Sequence, residues 1–360
     1  MIRSHAGDGE SWLARHRSQR PVFVCILSFT DTGLIPHISS AGITPQARQY
    51  TALADGEVLA TGRAHRFPLP PLPAGISPAV ISRGLLTGLN IPCHLFSTGL
   101  PAPVPFPHID LPTVVAQAVN TGQAMSLLQA EALLTAGRYW GRKLAEVGQY
   151  LVIGECVAGG TTTAQAVLTA QGYSVAGRMS SSHRNANHRQ KQTLVDQGLH
   201  RWRQRQPAAP RRDSGLAIAA ALGDPMQMVA AGMTLAASMQ GGVLLAGGSQ
   251  MLAVYALTGA IARDKKITWR SGQVAVGTTR WVIEDMAADT SAIAQQMGAT
   301  YLASQLNFSQ SPYFQLRSYE RGFIKEGVGA GGCAIAAHLY KGWSNTQIRH
   351  AVEAQLRISL

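Results

Sequence analysis

Residues 151–168 read Leu-Val-Ile-Gly-Glu-Cys-Val-Ala-Gly-Gly-Thr-Thr-Thr-Ala-Gln-Ala-Val-Leu, the pattern of a buried strand, a glycine turn and a helix. Leu151 to Ile153 are apolar without alternation, which suits a strand covered on both faces. Gly154, Gly159 and Gly160 let the backbone turn sharply and approach a ligand closely. Thr161 or Thr162 is placed to cap the helix. The first N–H groups of such a helix, with the positive end of its dipole, form an anion site worth roughly 0.3–2 kcal/mol. The same pattern also serves as a tight strand-to-helix turn with no ligand. A nucleotide-hydrolysing P-loop is argued against, because Gly160 stands where that motif needs lysine.

The rest of the chain bounds the partners. Its 360 residues are 46% hydrophobic and 14% charged, the composition of a chain with much buried surface. The four cysteines, Cys25, Cys93, Cys156 and Cys333, form no C-x-x-C pair. They read as small buried residues in a reducing compartment, not as zinc ligands or a disulfide framework. The net charge is +12, and eight Lys or Arg against Asp196 place +7 of it between Arg184 and Arg212. No nucleic-acid motif accompanies that segment, so a solvated basic face or a rim drawing in an anionic substrate is expected, with no nucleic-acid partner.

Residues 226–262 carry no charged side chain, but Gln240-Gly-Gly and Gly247-Gly-Ser-Gln interrupt the run. A membrane span needs a mostly unbroken apolar stretch. Helix, strand, glycine turn and helix is the expected reading, with no membrane partner. Residues 1–20 are polar and basic and read as a loose leader without a secretory signal. A cytoplasmic protein is expected, with residues 21–360 as a single domain.

Strands are expected at 22–29, 91–96, 243–245, 273–281 and 301–307, and helices at 127–144, 191–205, 226–239, 250–261, 333–340 and 345–356. On the 127–144 helix, Leu127, Leu128, Leu133, Leu134 and Tyr139 are read as one broad apolar face. Residues 30–55 are read as a long shaped loop, residues 68–78 as an extended proline-rich crossing, and residues 206–213 as a surface loop. Alternation of strand and helix after residue 150 predicts an α/β fold with a parallel sheet. Ligands in such sheets bind beyond the carboxyl ends of the strands. Three glycine-to-helix junctions are expected to meet there, at Gly159-Gly160, Gly247-Gly248 and 327–332. Gly248, Gly327 and Gly329 are therefore candidate substrate contacts beside Gly159, Gly160, Thr161 and Thr162.

Glu326 lies between apolar Phe323-Ile324 and a glycine run that cannot shield it. Poor solvation would raise its pKa and suit it to take a proton near neutral pH. It could equally be a carboxylate held by N–H groups at a helix start. Glu155 could bind a ribose hydroxyl or act as a structural acceptor. Lys191 and Arg280 are candidate phosphate partners. The turn at 175–183 brings serines of similar use. His183 and His188 lack metal-site context, and no metal or cofactor is expected.

Several ordered stretches together resemble one family. They are Glu155 to Thr163, Gly247-Gly-Ser-Gln-Met251 and Lys325-Glu-Gly-Val-Gly-Ala-Gly-Gly332. Thr30-Asp-Thr-Gly-Leu-Ile-Pro, Tyr50-Thr-Ala-Leu-Ala-Asp55, Gly277-Thr-Thr-Arg-Trp281 and Tyr319-Glu-Arg-Gly322 add to them. The chain resembles the nicotinate-nucleotide:dimethylbenzimidazole phosphoribosyltransferases of cobalamin synthesis, most closely a divergent CobT-like branch. The resemblance implies a Rossmann-like parallel sheet flanked by helices, a smaller helical part from the chain ends, and a homodimer. It implies that Glu326 is the catalytic glutamate, that Glu155 to Thr162 hold phosphate, and that Lys191 assists. The implied substrates are nicotinate mononucleotide and a purine or benzimidazole base. Gly160 replaces the asparagine usual in that loop, and the N-terminal third differs, so the base pocket does not carry over. A non-catalytic nucleotide- or corrinoid-binding protein is the alternative.

Overall fold

Branched and aromatic residues follow one another without a polar break in the central strands, and this demands cover on both faces. The computed structural model describes residues 1–69, 75–184, 186–205 and 214–359. Among them, strands β1 (Ile2–Ala6), β2 (Pro21–Ser28), β3 (Cys93–Thr98), β4 (Ile109–Asp110), β5 (Tyr150–Cys156), β6 (Gly242–Ala246), β7 (Val274–Thr279) and β8 (Thr300–Ser304) form one sheet. Its order is β1-β8-β7-β6-β5-β2-β3-β4. Every pairing is parallel except β1 with β8. Val22, Val24 and Ile26 of β2 face one core, and Phe23, Cys25 and Leu27 the other. The expected α/β class with a mainly parallel sheet is present.

The helices are α1 (Gly9–His16), α2 (Thr51–Thr61), α3 (Ala79–Gly88), α4 (Leu127–Ala145), α5 (Gly160–Ala170), α6 (His188–Arg205) and α7 (Gly215–Leu222), followed by α8 (Pro225–Ala237), α9 (Ser249–Lys265), α10 (Arg280–Ile283), α11 (Thr290–Gln296), α12 (Phe314–Arg317), α13 (Ala330–Lys341) and α14 (Asn345–Ser359). Helices α4 to α9 feed the first core, while α1 to α3 and α12 to α14 feed the second. The helices of the chain ends thus gather on one face. Strand order reverses between β2 and β5: the chain moves outward to β3 on one side and to β6 on the other. A crevice at the carboxyl ends of these strands is where such a sheet binds ligands.

No helix among the described residues is long and apolar enough to cross a membrane. Residues 226–262 form most of α8, then β6 and the first part of α9, and the glycine breaks are their junctions. The proline-rich crossing lies partly, and the 206–213 loop wholly, outside the described residues.

Three expectations need correction. Residues 1–20 are not a loose leader. β1 adds an antiparallel edge to β8, and α1 seats Trp12 in the core with no exposed surface. The Trp12 Nε1 donates to the Gln273 carbonyl at 2.9 Å, and its ring stacks on buried His16. Polar flanks hid this single anchor. Trp12→Ala is expected to cost about 3–5 kcal/mol in urea unfolding; an unchanged midpoint would return the segment to a loose leader. Second, the 30–55 loop gives way to α2 at Thr51, a helix buried on nearly all sides and so without an amphipathic period. Third, α4 uses only part of the expected face: Leu133 and Leu134 are buried as expected, but the other three are not. Leu128 is 80% exposed, and Leu127 and Tyr139 are also exposed. The packed face is Ala130, Leu133, Leu134, Gly137 and Gly141, where glycines let the α8 backbone come close.

Candidate active site

Helices α5, α9 and α13 begin at Gly159, Gly248 and Gly329, so the three glycine junctions are helix starts. They converge on a cavity of about 380 Å³ lined by Gly159, Thr161, Thr162, Lys191, Gly248, Glu326 and Gly327, with Glu155 in its wall. Gly160 and Gly329 stand behind the lining. A Cβ on Gly160 would come within 1.8 Å of Gln250 Oε1, and one on Gly329 within 2.9 Å of the Phe23 ring. These two glycines allow close packing and do not face the cavity.

The expected threonine cap is absent. Gly159, with φ +87°, is the cap of α5 and makes no side-chain cap bond. Thr162 N donates to the Gly159 carbonyl at 2.9 Å, and Thr162 Oγ1 is buried with no partner among the described residues. The cap falls two residues before Thr161, so both threonines lie inside the first turn, in the cavity wall.

Lys191, on α6, is 2% exposed and pairs with no carboxylate among the described residues. Burial, then the charge of Lys325, pushes its pKa down to about 8, against the pull of Asp285. Lys325 is itself neutralised by Asp285 at 2.6 Å. Lys191 is therefore a buried cation at the cavity wall whose charge calls for an anion. Ser180, Ser181 and Ser182, of the expected serine turn, line the same wall.

Glu326 accepts four hydrogen bonds. Its Oε2 takes Thr278 Oγ1 (3.0 Å) and Thr279 N (2.8 Å), and its Oε1 takes Gly327 N (3.2 Å) and Gly331 N (3.1 Å). Burial still carries its pKa up to about 7 against those bonds. Close packing sets this geometry. A Cβ on Gly331 would fall 2.2 Å from the Thr278 carbonyl carbon, and one on Gly332 2.3 Å from Ala246 Cβ. Only glycines let the start of α13 rest on the ends of β6 and β7. Gly331→Ala is expected to destabilise by about 1–3 kcal/mol through overpacking. An unchanged urea midpoint would contradict that seating.

Glu155 ends β5. Its Oε1 accepts from Gln250 Nε2 at 2.8 Å, and its buried Oε2 has no partner among the described residues. Burial, then the charges of Asp224 and Glu326, raises its pKa to about 8. At neutral pH it is mainly protonated and offers an O–H. Val328 joins the two glutamates. Its N–H donates to the Glu155 carbonyl at 3.2 Å, and its φ of +52° is a strained value for a β-branched residue.

Arg280 does not reach the cavity. It bonds Glu284, Glu320 and the Leu306 carbonyl, which corrects its reading as a phosphate partner. His183 Nε2 meets the His37 carbonyl and His188 Nε2 the Ala287 carbonyl. Sequence reasoning missed Asp55, Gln250 and Asp224 as members of the constellation. Asp224 takes Thr163 Oγ1 at 2.6 Å beneath the turn that opens α5. Its signal was available: it is the only charged residue between 214 and 262.

Comparison with known proteins gives the family of the chain. The family model DBI_PRT, described as phosphoribosyltransferase, matches residues 109–289. The UPF0284 protein of Cyanothece sp. (strain PCC 7425) is 52% identical, covering 98% of this chain and 96% of its own. That of Trichodesmium erythraeum is 51% identical, covering 96% and 95%. Two solved structures from Thermus thermophilus share the fold. CobT has a TM-score of 0.62 at 16% identity, covering 96% of this chain and 89% of that one. A nicotinate-nucleotide-dimethylbenzimidazole phosphoribosyltransferase has a TM-score of 0.58 at 17% identity, covering 94% and 83%. The chain belongs to the phosphoribosyltransferase family of the DBI_PRT model, in the divergent branch formed by the UPF0284 proteins.

Proposed function

We propose that the protein transfers phosphoribose from nicotinate mononucleotide to a benzimidazole or related base, giving nicotinate and an α-ribotide for the lower ligand of a cobalamin-type cofactor. One observation carries the reading: buried Lys191, which has no carboxylate partner among the described residues, and the Glu326 carboxylate, whose pKa burial raises, line the same cavity.

The 5′-phosphate sits at the mouth of α5, against Thr161, Thr162 and Lys191, and this grip fixes the sugar for in-line attack. A nitrogen of the base attacks the anomeric carbon as the carbon–pyridinium bond breaks. The bonding pair returns to the ring nitrogen, so nicotinate leaves without needing a proton. Glu326 takes the proton that the base loses, and it steadies positive charge developing on the ribose. Its four acceptor positions are filled at rest, so one donor must yield. The Thr278 hydroxyl can rotate, whereas the three backbone N–H groups cannot. The protonated Glu155, with its free Oε2, donates to a ribose hydroxyl.

The filled shell around Glu326 also favours a second reading, a protein that binds the nucleotide without turnover. Nicotinate release, followed by chromatography across a panel of bases, separates the two. Base-dependent release with an equal amount of ribotide supports transfer. Calorimetric binding of nicotinate mononucleotide without release supports binding alone.

A further inference from the structure

We propose that Asp55 selects the acceptor, and that the acceptor is a heterocycle with a hydrogen-bond donor on the edge away from its attacking nitrogen. This rests on the transfer reading above, and extends it to a substrate class.

Asp55 lies on α2 among buried Leu53, Ala54 and Val58, yet it forms part of the cavity wall. It is only 4% exposed. Oδ1 accepts from Ser77 Oγ at 2.5 Å, and Oδ2 accepts from Cys156 Sγ at 3.2 Å. Both donors are neutral, and no lysine, arginine or histidine pairs with Asp55 among the described residues. A carboxylate has about four acceptor positions, so about two are left for a ligand.

The chain ties Asp55 to both glutamates. Cys156 follows Glu155, and Ser77 precedes Pro78, whose ring lies 3.3 Å from where a Cβ on Gly327 would stand, next to Glu326. Pro78 and Ile324 are apolar parts of the same wall, suited to the face of a flat ring. A base docked there presents one nitrogen to the ribose and Glu326, and its far edge to Asp55. A donor on that edge fills an open acceptor position. A methyl-bearing edge would instead seal in a carboxylate short of partners, which is the costly outcome. Burial raises the Asp55 pKa only to about 6, so the group is mainly an anion, and hence an acceptor, at neutral pH.

The test compares 5-aminobenzimidazole with 5,6-dimethylbenzimidazole on the wild type, Asp55→Leu and Asp55→Asn. Dissociation constants come from calorimetry, and kcat/KM from nicotinate release. The wild type is expected to favour the amino base by about 10–10²-fold, the worth of one hydrogen bond to a charged group. Asp55→Leu is expected to bring the ratio to unity or reverse it. Asp55→Asn, which keeps one acceptor and the side-chain size, is expected to lower it about tenfold and carries the comparison if the leucine variant does not fold. A wild-type preference for the dimethyl base would overturn the proposal, as would one ratio shared by all three proteins. The binding ratio is read whether or not nicotinate is released, so failure of the transfer reaction shows separately from failure of the selection.

Discussion

Glu326→Gln is expected to lower kcat by about 10²–10⁴ while nicotinate mononucleotide still binds, because a placed proton acceptor is worth that much. Glutamine keeps the size of the side chain, and its oxygen can still accept from Gly327 and Gly331. Its amide nitrogen then meets the Thr279 N–H, so a modest loss of stability accompanies the loss of rate. The pH profile separates the two effects. Glu326 must be ionised to accept a proton, so wild-type kcat/KM should climb as pH rises through about 7. The descending limb belongs to Lys191, which must stay charged to hold phosphate, together with Glu155, which must keep its proton to donate; both give up a proton near 8. The glutamine variant should lose the ascending limb and keep the descending one. Turnover at the wild-type level, or an unchanged acid limb, would remove Glu326 from the chemistry.

Lys191→Met is expected to make the ligand-free protein more stable and a worse binder. The lysine ionises near 10.5 when solvated and near 8 in the fold, a gap of about 3 kcal/mol. Between these values the unfolded chain binds the proton more tightly, so stability rises with pH across that window. Below about 8 the whole cost of the buried charge is present. Methionine has similar length and no charge, and at pH 7 it should raise the unfolding free energy by about 2–3 kcal/mol. The gain should shrink by pH 10. Affinity for nicotinate mononucleotide should fall about 10–10²-fold, from the loss of a charge-assisted hydrogen bond. Urea titrations at the two pH values and calorimetry read both effects. A less stable variant with undiminished affinity would make Lys191 a structural residue.

The elements that could be read from sequence are those whose chemistry is local. The β5 to α5 turn is spelled out by adjacent glycines, and α6, α8, α9, α13 and α14 fall near the expected spans. Residues whose role depends on distant partners were less legible. Trp12 is an isolated aromatic in a basic segment, and only its seat against Gln273 shows that it anchors the edge of the sheet. Leu127, Leu128 and Tyr139 looked like a packing face, while Gly137 and Gly141 decide how α4 meets α8. A period calculated from large apolar residues cannot register contacts made by glycine. Within the candidate site, Glu155 and Glu326 stood out beside glycine turns. Asp55 did not, because its helix is buried nearly all round and one acid there gives no period. Lys191 and Arg280 were both candidates for phosphate, and only the burial of Lys191 in the cavity wall separates the two.

A structure of the protein with nicotinate mononucleotide tests the shared cavity most directly. The 5′-phosphate is predicted within hydrogen-bonding distance of Thr161, Thr162 and Lys191 Nζ, with the anomeric carbon turned toward the Glu326 carboxylate. A phosphate bound elsewhere, or a ribose with Glu326 on the side of the departing nicotinate, would contradict it.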